Sequence, residues 1–100
     1  MSSPAAFISS ATTGHPGPFP PTIVSSGAPT VLIEGKPAAR IGDVAIPHTR
    51  QALPFDTHQP IIASGSSKVL INGSPAARIG DTFQCGDIIA SGAYHVIIGG

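Results

Sequence analysis

The stretch "PAARIGD" stands at Pro37–Asp43 and again, letter for letter, at Pro75–Asp81. It lies inside a longer duplication. "IVSSGAPTVLIEGKPAARIGD" (Ile23–Asp43) aligns without a gap on "IIASGSSKVLINGSPAARIGD" (Ile61–Asp81), and 14 of 21 positions are identical. "IIASGAYHVIIGG" (Ile88–Gly100) repeats the start of the second copy. "PAAFISS" (Pro4–Ser10) is a worn version of the heptapeptide, without its Arg, Gly and Asp. These copies divide the chain into three units, approximately 4–35, 37–73 and 75–100, of a single domain spanning 1–100. Three similar units in one chain suggest pseudo-threefold symmetry.

With 12 Gly and 11 Pro in 100 residues, long helices are disfavoured. Ile and Val favour short strands. "TVLIEG", "KVLING" and "HVIIGG" read as strands ending at Gly, and "IVSSG" and "IIASG" as matching strands just upstream. The intervening "SGAPT", "SGSSK" and "SGAYH" read as turns, which predicts one β-hairpin per unit. The expected fold is all-β: a small cone of short strands and hairpins in three pseudo-threefold units.

Five Lys and Arg balance five Asp and Glu. A nucleic-acid binder carries a basic footprint that this chain lacks. A hydrophobic content of 41% argues against a disordered chain. One cysteine, Cys85, excludes an internal disulfide. The start, "MSSPAAFISS", has neither the basic nor the long apolar region of a signal peptide, and no apolar run is long enough to span a bilayer as a helix. Synthesis in the cytoplasm is expected, with export by another route.

The repeat sorts the polar residues. Arg40 and Arg78 are equivalent, as are Asp43 and Asp81, and an Arg–Asp pair in each copy would fix the turn by charge-assisted hydrogen bonds. His48 lies five residues after Asp43, His15 five after Ser10, and Cys85 four after Asp81. His58 sits three residues before Ile61, as Cys85 sits three before Ile88. A threefold arrangement brings these side chains together. Three imidazoles and one thiolate, His15, His48, His58 and Cys85, suit a closed structural Zn2+ site, although the sequence alone does not separate zinc from iron. Such a site would stabilise a domain with a small core. His95 falls on a strand position in register with Thr30 and Lys68, and is read as outward-facing.

Two "PAAR" tetrapeptides, each followed by Ile-Gly-Asp and preceded by a "VLI-x-G" strand, resemble the PAAR-repeat proteins over nearly the whole chain. The resemblance implies a β-structured cone that caps the trimeric β-helical spike of a contractile injection machine, either a type VI secretion system or a contractile phage tail. It implies zinc near the apex, on three His and one Cys that match His15, His48, His58 and Cys85. It also implies one copy per spike trimer, with the spike as partner, and transient contact with a target membrane.

The repeats point the same way, since one chain with threefold pseudo-symmetry matches a trimeric partner. The expected role is therefore a non-catalytic, membrane-puncturing tip, monomeric alone. The alternative is an adaptor that attaches separately encoded effector cargo to the spike. Catalysis is disfavoured: four protein ligands close a metal to water, and neither an oxyanion-hole motif nor a phosphate loop is present.

Overall fold

The computed structural model describes residues 2–100. Among these are eight short strands and no helix: β1 (Ser3–Ala5), β2 (Ala28–Ile33), β3 (Lys36–Ala38), β4 (His48–Thr49), β5 (Thr57–His58), β6 (Leu70–Ile71), β7 (Ser74–Pro75) and β8 (Ala93–Ile98). All pair antiparallel, as β2–β3, β4–β5, β6–β7 and β1–β8. The all-β class read from the sequence is the class observed.

Two hairpins turn at Glu34–Gly35 and Asn72–Gly73. Both residues of each turn have positive φ, 52° and 79° in the first and 49° and 82° in the second. Two successive left-handed residues make the tight hairpin turn whose twist matches its strands. Ile33 then faces Lys36, and Ile71 faces Ser74. In the third position Ser3 of β1 faces Ile98 of β8, so the two end segments of the chain pair where the other copies have a continuous hairpin.

The hairpins therefore lie one segment later than the sequence reading put them. "SGAPT", "SGSSK" and "SGAYH" are not the hairpin turns, and "IVSSG" and "IIASG" make isolated bridges rather than strands. Ile23 and Val24 bridge to Ala11 and Ala45, and Ile61 and Ile62 bridge to Val44 and Phe83. The glycine of each "SG" serves close packing instead. A Cβ on Gly27 would lie 2.8 Å from the Ala38 carbonyl oxygen, one on Gly65 2.8 Å from that of Ala76, and one on Gly92 would collide with that of Ala5.

The three Pro-Ala-Ala segments converge. Ala6 N–H donates to Ala77 O (2.9 Å), Ala77 N–H to Ala39 O (3.0 Å) and Ala39 N–H to Ala6 O (3.0 Å), which closes a ring of backbone hydrogen bonds. A second set repeats the pattern: Ile8 N–H donates to Pro37 O, Ile41 N–H to Pro75 O and Ile79 N–H to Pro4 O, each at 2.9 Å. Ala5, Ala6, Ala38, Ala39, Ala76 and Ala77 are all fully buried. A larger side chain would push the strands apart, whereas alanine is buried without loss of rotamer freedom. Within the ring, the buried backbone groups satisfy one another.

Each Ala-Ala pair joins two packed layers. Ala5, Ala38 and Ala76 pack with Ile33, Ile71, Ile98 and Phe7. Ala6, Ala39 and Ala77 pack with Val24, Ile62, Phe83 and Ile89, and Cys85 borders this second layer. The molecule is elongated, with principal extents of 40 × 26 × 22 Å.

Candidate metal centre

The turn that ends each motif leads the chain from the ring toward the ligand-bearing loops. Asp43 Oδ2 accepts hydrogen bonds from Arg40 N–H (3.0 Å) and Nε (3.2 Å), and Oδ1 accepts one from Ser26 Oγ (2.9 Å). Asp81 Oδ2 accepts from Arg78 N–H (2.7 Å) and Nε (3.0 Å). Its Oδ1 accepts from Arg78 Nη2 (3.2 Å) and Ser64 Oγ (3.2 Å). The hydrogen bond that Arg78 donates to Asp81 holds the guanidinium pKa above its ordinary range. Both Arg–Asp pairs expected from the repeat are thus in contact.

The worn copy keeps the turn with different groups. Phe7 N–H donates to Ser10 Oγ (3.0 Å), so Ser10 fills the aspartate's capping role. Ser9 takes the place of Gly42 and Gly80, and its φ of 84° is close to their 95° and 94°. Phe7 replaces the arginine, and the Lys36 ammonium lies 4.7 Å from its ring centroid, within cation–π range.

Beyond these turns four side chains meet. His48 and His58 face each other across β4–β5. His15 comes from a tight turn closed by reciprocal backbone bonds with Phe19 (3.1 and 2.9 Å). Gly14 enters that turn at φ 76°, where an added Cβ would meet Phe19 O at 2.6 Å. Cys85 lies on a turn in which Gly86 N–H donates to Phe83 O (3.0 Å). The Nε2 atoms are 3.1 Å apart for His15–His48, 3.0 Å for His15–His58 and 2.8 Å for His48–His58. All four candidate donor atoms, Cys85 Sγ included, lie within 4.8 Å of one another.

The other ring nitrogens decide what these contacts are. His48 Nδ1 is 2.8 Å from Pro20 O, and His15 Nδ1 is 3.1 Å from Pro16 O. A carbonyl only accepts, so both Nδ1 atoms carry a proton, and the Nε2 atoms that turn inward are the ones left to offer a lone pair to a cation. Two lone pairs at 3.1 Å cannot hydrogen-bond each other, and a cation between them removes the conflict. Zn–N bonds of about 2.0–2.1 Å in a tetrahedron place nitrogens roughly 3.3 Å apart. The observed spacing is a few tenths of an ångström tighter, which small ring rotations absorb. The donor set fits a structural zinc, and the carbonyls that orient the rings are the second shell such a site needs. Burial, with His48 and His15 next in effect, pushes His58 below its ordinary 6.5, and Asp87 opposes the shift. A lowered value keeps His58 neutral and able to ligate near neutral pH.

A family model described as the PAAR motif matches residues 10–91 of the 100, a span that holds both intact motifs and all four candidate ligands. The chain belongs to the PAAR-motif family. A comparison with curated proteins gives no match. Membership of the PAAR family carries an association with the spike tips of type VI secretion systems and phage tails.

Within this PAAR domain two contributors to the centre escaped the sequence reading. Phe19 packs on all three imidazoles, with ring centroids 4.6 Å from His15, 5.1 Å from His48 and 4.4 Å from His58. Its surroundings in "GPFPP" look like an ordinary loop, and only its place four residues after His15 hinted at a role. Asp87 is fully buried beside His48, with its Oδ2 4.0 Å from His48 Nδ1. Its position two residues after Cys85 was the available signal. His95 is exposed on β8, away from the cluster, as expected.

Proposed function

We propose that the protein is the tip of a contractile injection machine, seated as one copy on a trimeric β-helical spike. The closed ring formed by Ala6, Ala39 and Ala77 carries this reading. It joins three chemically similar segments of one chain around a common centre, as a pseudo-threefold unit must to meet a threefold partner. In this reading the chain is a monomer alone. It is made in the cytoplasm and leaves the producer on the spike.

The hairpin end is the base. Leu32, Leu70 and Ile97 hold equivalent positions just before the buried Ile33, Ile71 and Ile98, and they are 60%, 63% and 55% exposed. Three matched apolar side chains suit the apolar end of a spike trimer. The metal end is the apex, where zinc on His15, His48, His58 and Cys85 pins loops that no large core supports. The loop 50–56 beside it exposes Leu53 (77%) and Phe55 (64%), and these meet the target membrane first. Four protein donors fill a tetrahedral shell and leave no position for substrate, so the site's work is structural.

Replacing Leu32, Leu70 and Ile97 together with Asp tests the base. Each apolar side chain contributes about 1.5–3 kcal/mol on burial. The triple variant is therefore expected to bind a spike trimer at least about 100-fold more weakly, with its metal content unchanged. Binding equal to that of the native protein would overturn the assignment of this face.

A further inference from the structure

We propose that Asp87 is the outer-shell anion of the metal centre, a positioning residue that holds the cation without binding it directly. The inference rests on the metal reading of the four-residue cluster. Asp87 is completely buried. Its Oδ1 accepts hydrogen bonds from Ile88 N–H (2.8 Å) and Thr13 Oγ (3.3 Å). Its Oδ2 is buried and has no hydrogen-bond partner. The nearest cationic-type group to that oxygen is His48 Nδ1 at 4.0 Å, and the two side chains are 0% and 2% exposed. His48 Nδ1 already donates to Pro20 O at 2.8 Å, so Asp87 is not what sets the His48 tautomer.

A buried, ionised carboxylate with an empty acceptor calls for a compensating positive charge. Among the described residues, lysine and arginine side chains do not supply that charge. Arg40 is held by Asp43 and Arg78 by Asp81. Arg50 donates to Gly17 O and Leu53 O, and Lys36 covers Phe7. Lys68 is exposed. The cluster itself does supply it. A divalent cation on three neutral imidazoles and one thiolate keeps a net charge of +1. Asp87 lies against the ring of one of those imidazoles, in a medium where charges are poorly screened. One carboxylate brings the buried assembly to neutrality. It also accounts for the unpartnered oxygen, whose nearest cationic-type neighbour is the ring of a candidate ligand.

The test compares zinc affinity, by competition with a chromophoric chelator, for the full native chain and for Asp87→Asn. Asparagine keeps the Oδ1 acceptor for Ile88 and Thr13, removes the charge and puts an NH2 group where Oδ2 stood. Zinc is expected to bind roughly 10–100-fold more weakly. The cobalt-loaded variant should keep the native tetrahedral absorption pattern, because all four direct donors remain. Asp87→Glu should recover most of the loss. Where Asp87→Asn does not fold, Asp87→Glu and Asp87→Gln form a second charged and neutral pair, with Glu expected to bind more tightly. Native-like zinc affinity in the neutral variants would overturn the proposal, as would equal losses in Glu and Gln. A native chain that binds no zinc would remove the metal reading itself, a distinct outcome.

Discussion

Removing the metal is expected to destabilise the protein by at least about 4 kcal/mol, with a fall in melting temperature of roughly 15–30 °C. The loss should be local first. β4 and β5 are two residues each, and a two-stranded hairpin alone is marginal in water. Without a cation, the inward lone pairs of His15 and His48 repel at 3.1 Å. Residues 13–21 and 48–58 should then lose amide protection, while the alanine ring and its two apolar layers keep theirs. Cys85→Ser makes the same point without a chelator, since a hydroxyl replaces the thiolate at nearly equal size. Metal content and melting temperature should fall together in Cys85→Ser and in His58→Ala. Identical melts for metal-loaded and chelator-treated protein would refute the structural role of the site.

The second large effect is expected at Gly65. A Cβ there would stand 2.8 Å from Ala76 O and 3.1 Å from Pro75 O. These are backbone atoms of the segment that forms the ring, so they cannot swing aside. Gly65→Val should cost about 3–5 kcal/mol, read as a shift of the urea midpoint. Gly73→Ala is the contrasting control. Its φ is +82°, but no atom lies within 4 Å of an added Cβ. Only left-handed strain applies there, about 1–2 kcal/mol. Equal costs at the two positions would mean that the "SG" glycines act through turn conformation after all.

These two glycines mark where the sequence was and was not readable. The repeat made the strands that end at Gly, the Arg–Asp turns and the four-residue cluster legible, because residues at one offset occupy one kind of place. It was not enough to find the hairpins. Gly27, Gly35, Gly65 and Gly73 look alike in a string of letters. Gly35 and Gly73 serve a local turn, whereas Gly27 and Gly65 make room for a segment ten and eleven residues further along the chain. Such an approach is a tertiary fact with no local signature. The same limit hid Asp87 and Phe19. A carboxylate two residues from a cysteine reads as a surface charge until burial is known, and a phenylalanine among prolines reads as loop. Ser9 and Ser10 show the converse, since their roles follow from alignment with Gly42 and Asp43 although the letters differ.

The alanine ring also explains the motif in physical terms. Pro-Ala-Ala supplies two consecutive side chains small enough for three backbones to meet, and Asp43 and Asp81 close the turns that follow. None of these residues needs a reactive group, because the heptapeptide is a joint and the chemistry lies in the loops it launches.

One chain with three similar sectors is proposed to serve a partner of three chains. The most direct test is the mass of the complex formed with a candidate spike trimer, measured by native mass spectrometry with the tip protein in excess. One tip chain per three spike chains is expected, with the unbound tip a monomer. A complex with three tip chains per trimer, or a stable homotrimer of the tip alone, would contradict this proposal.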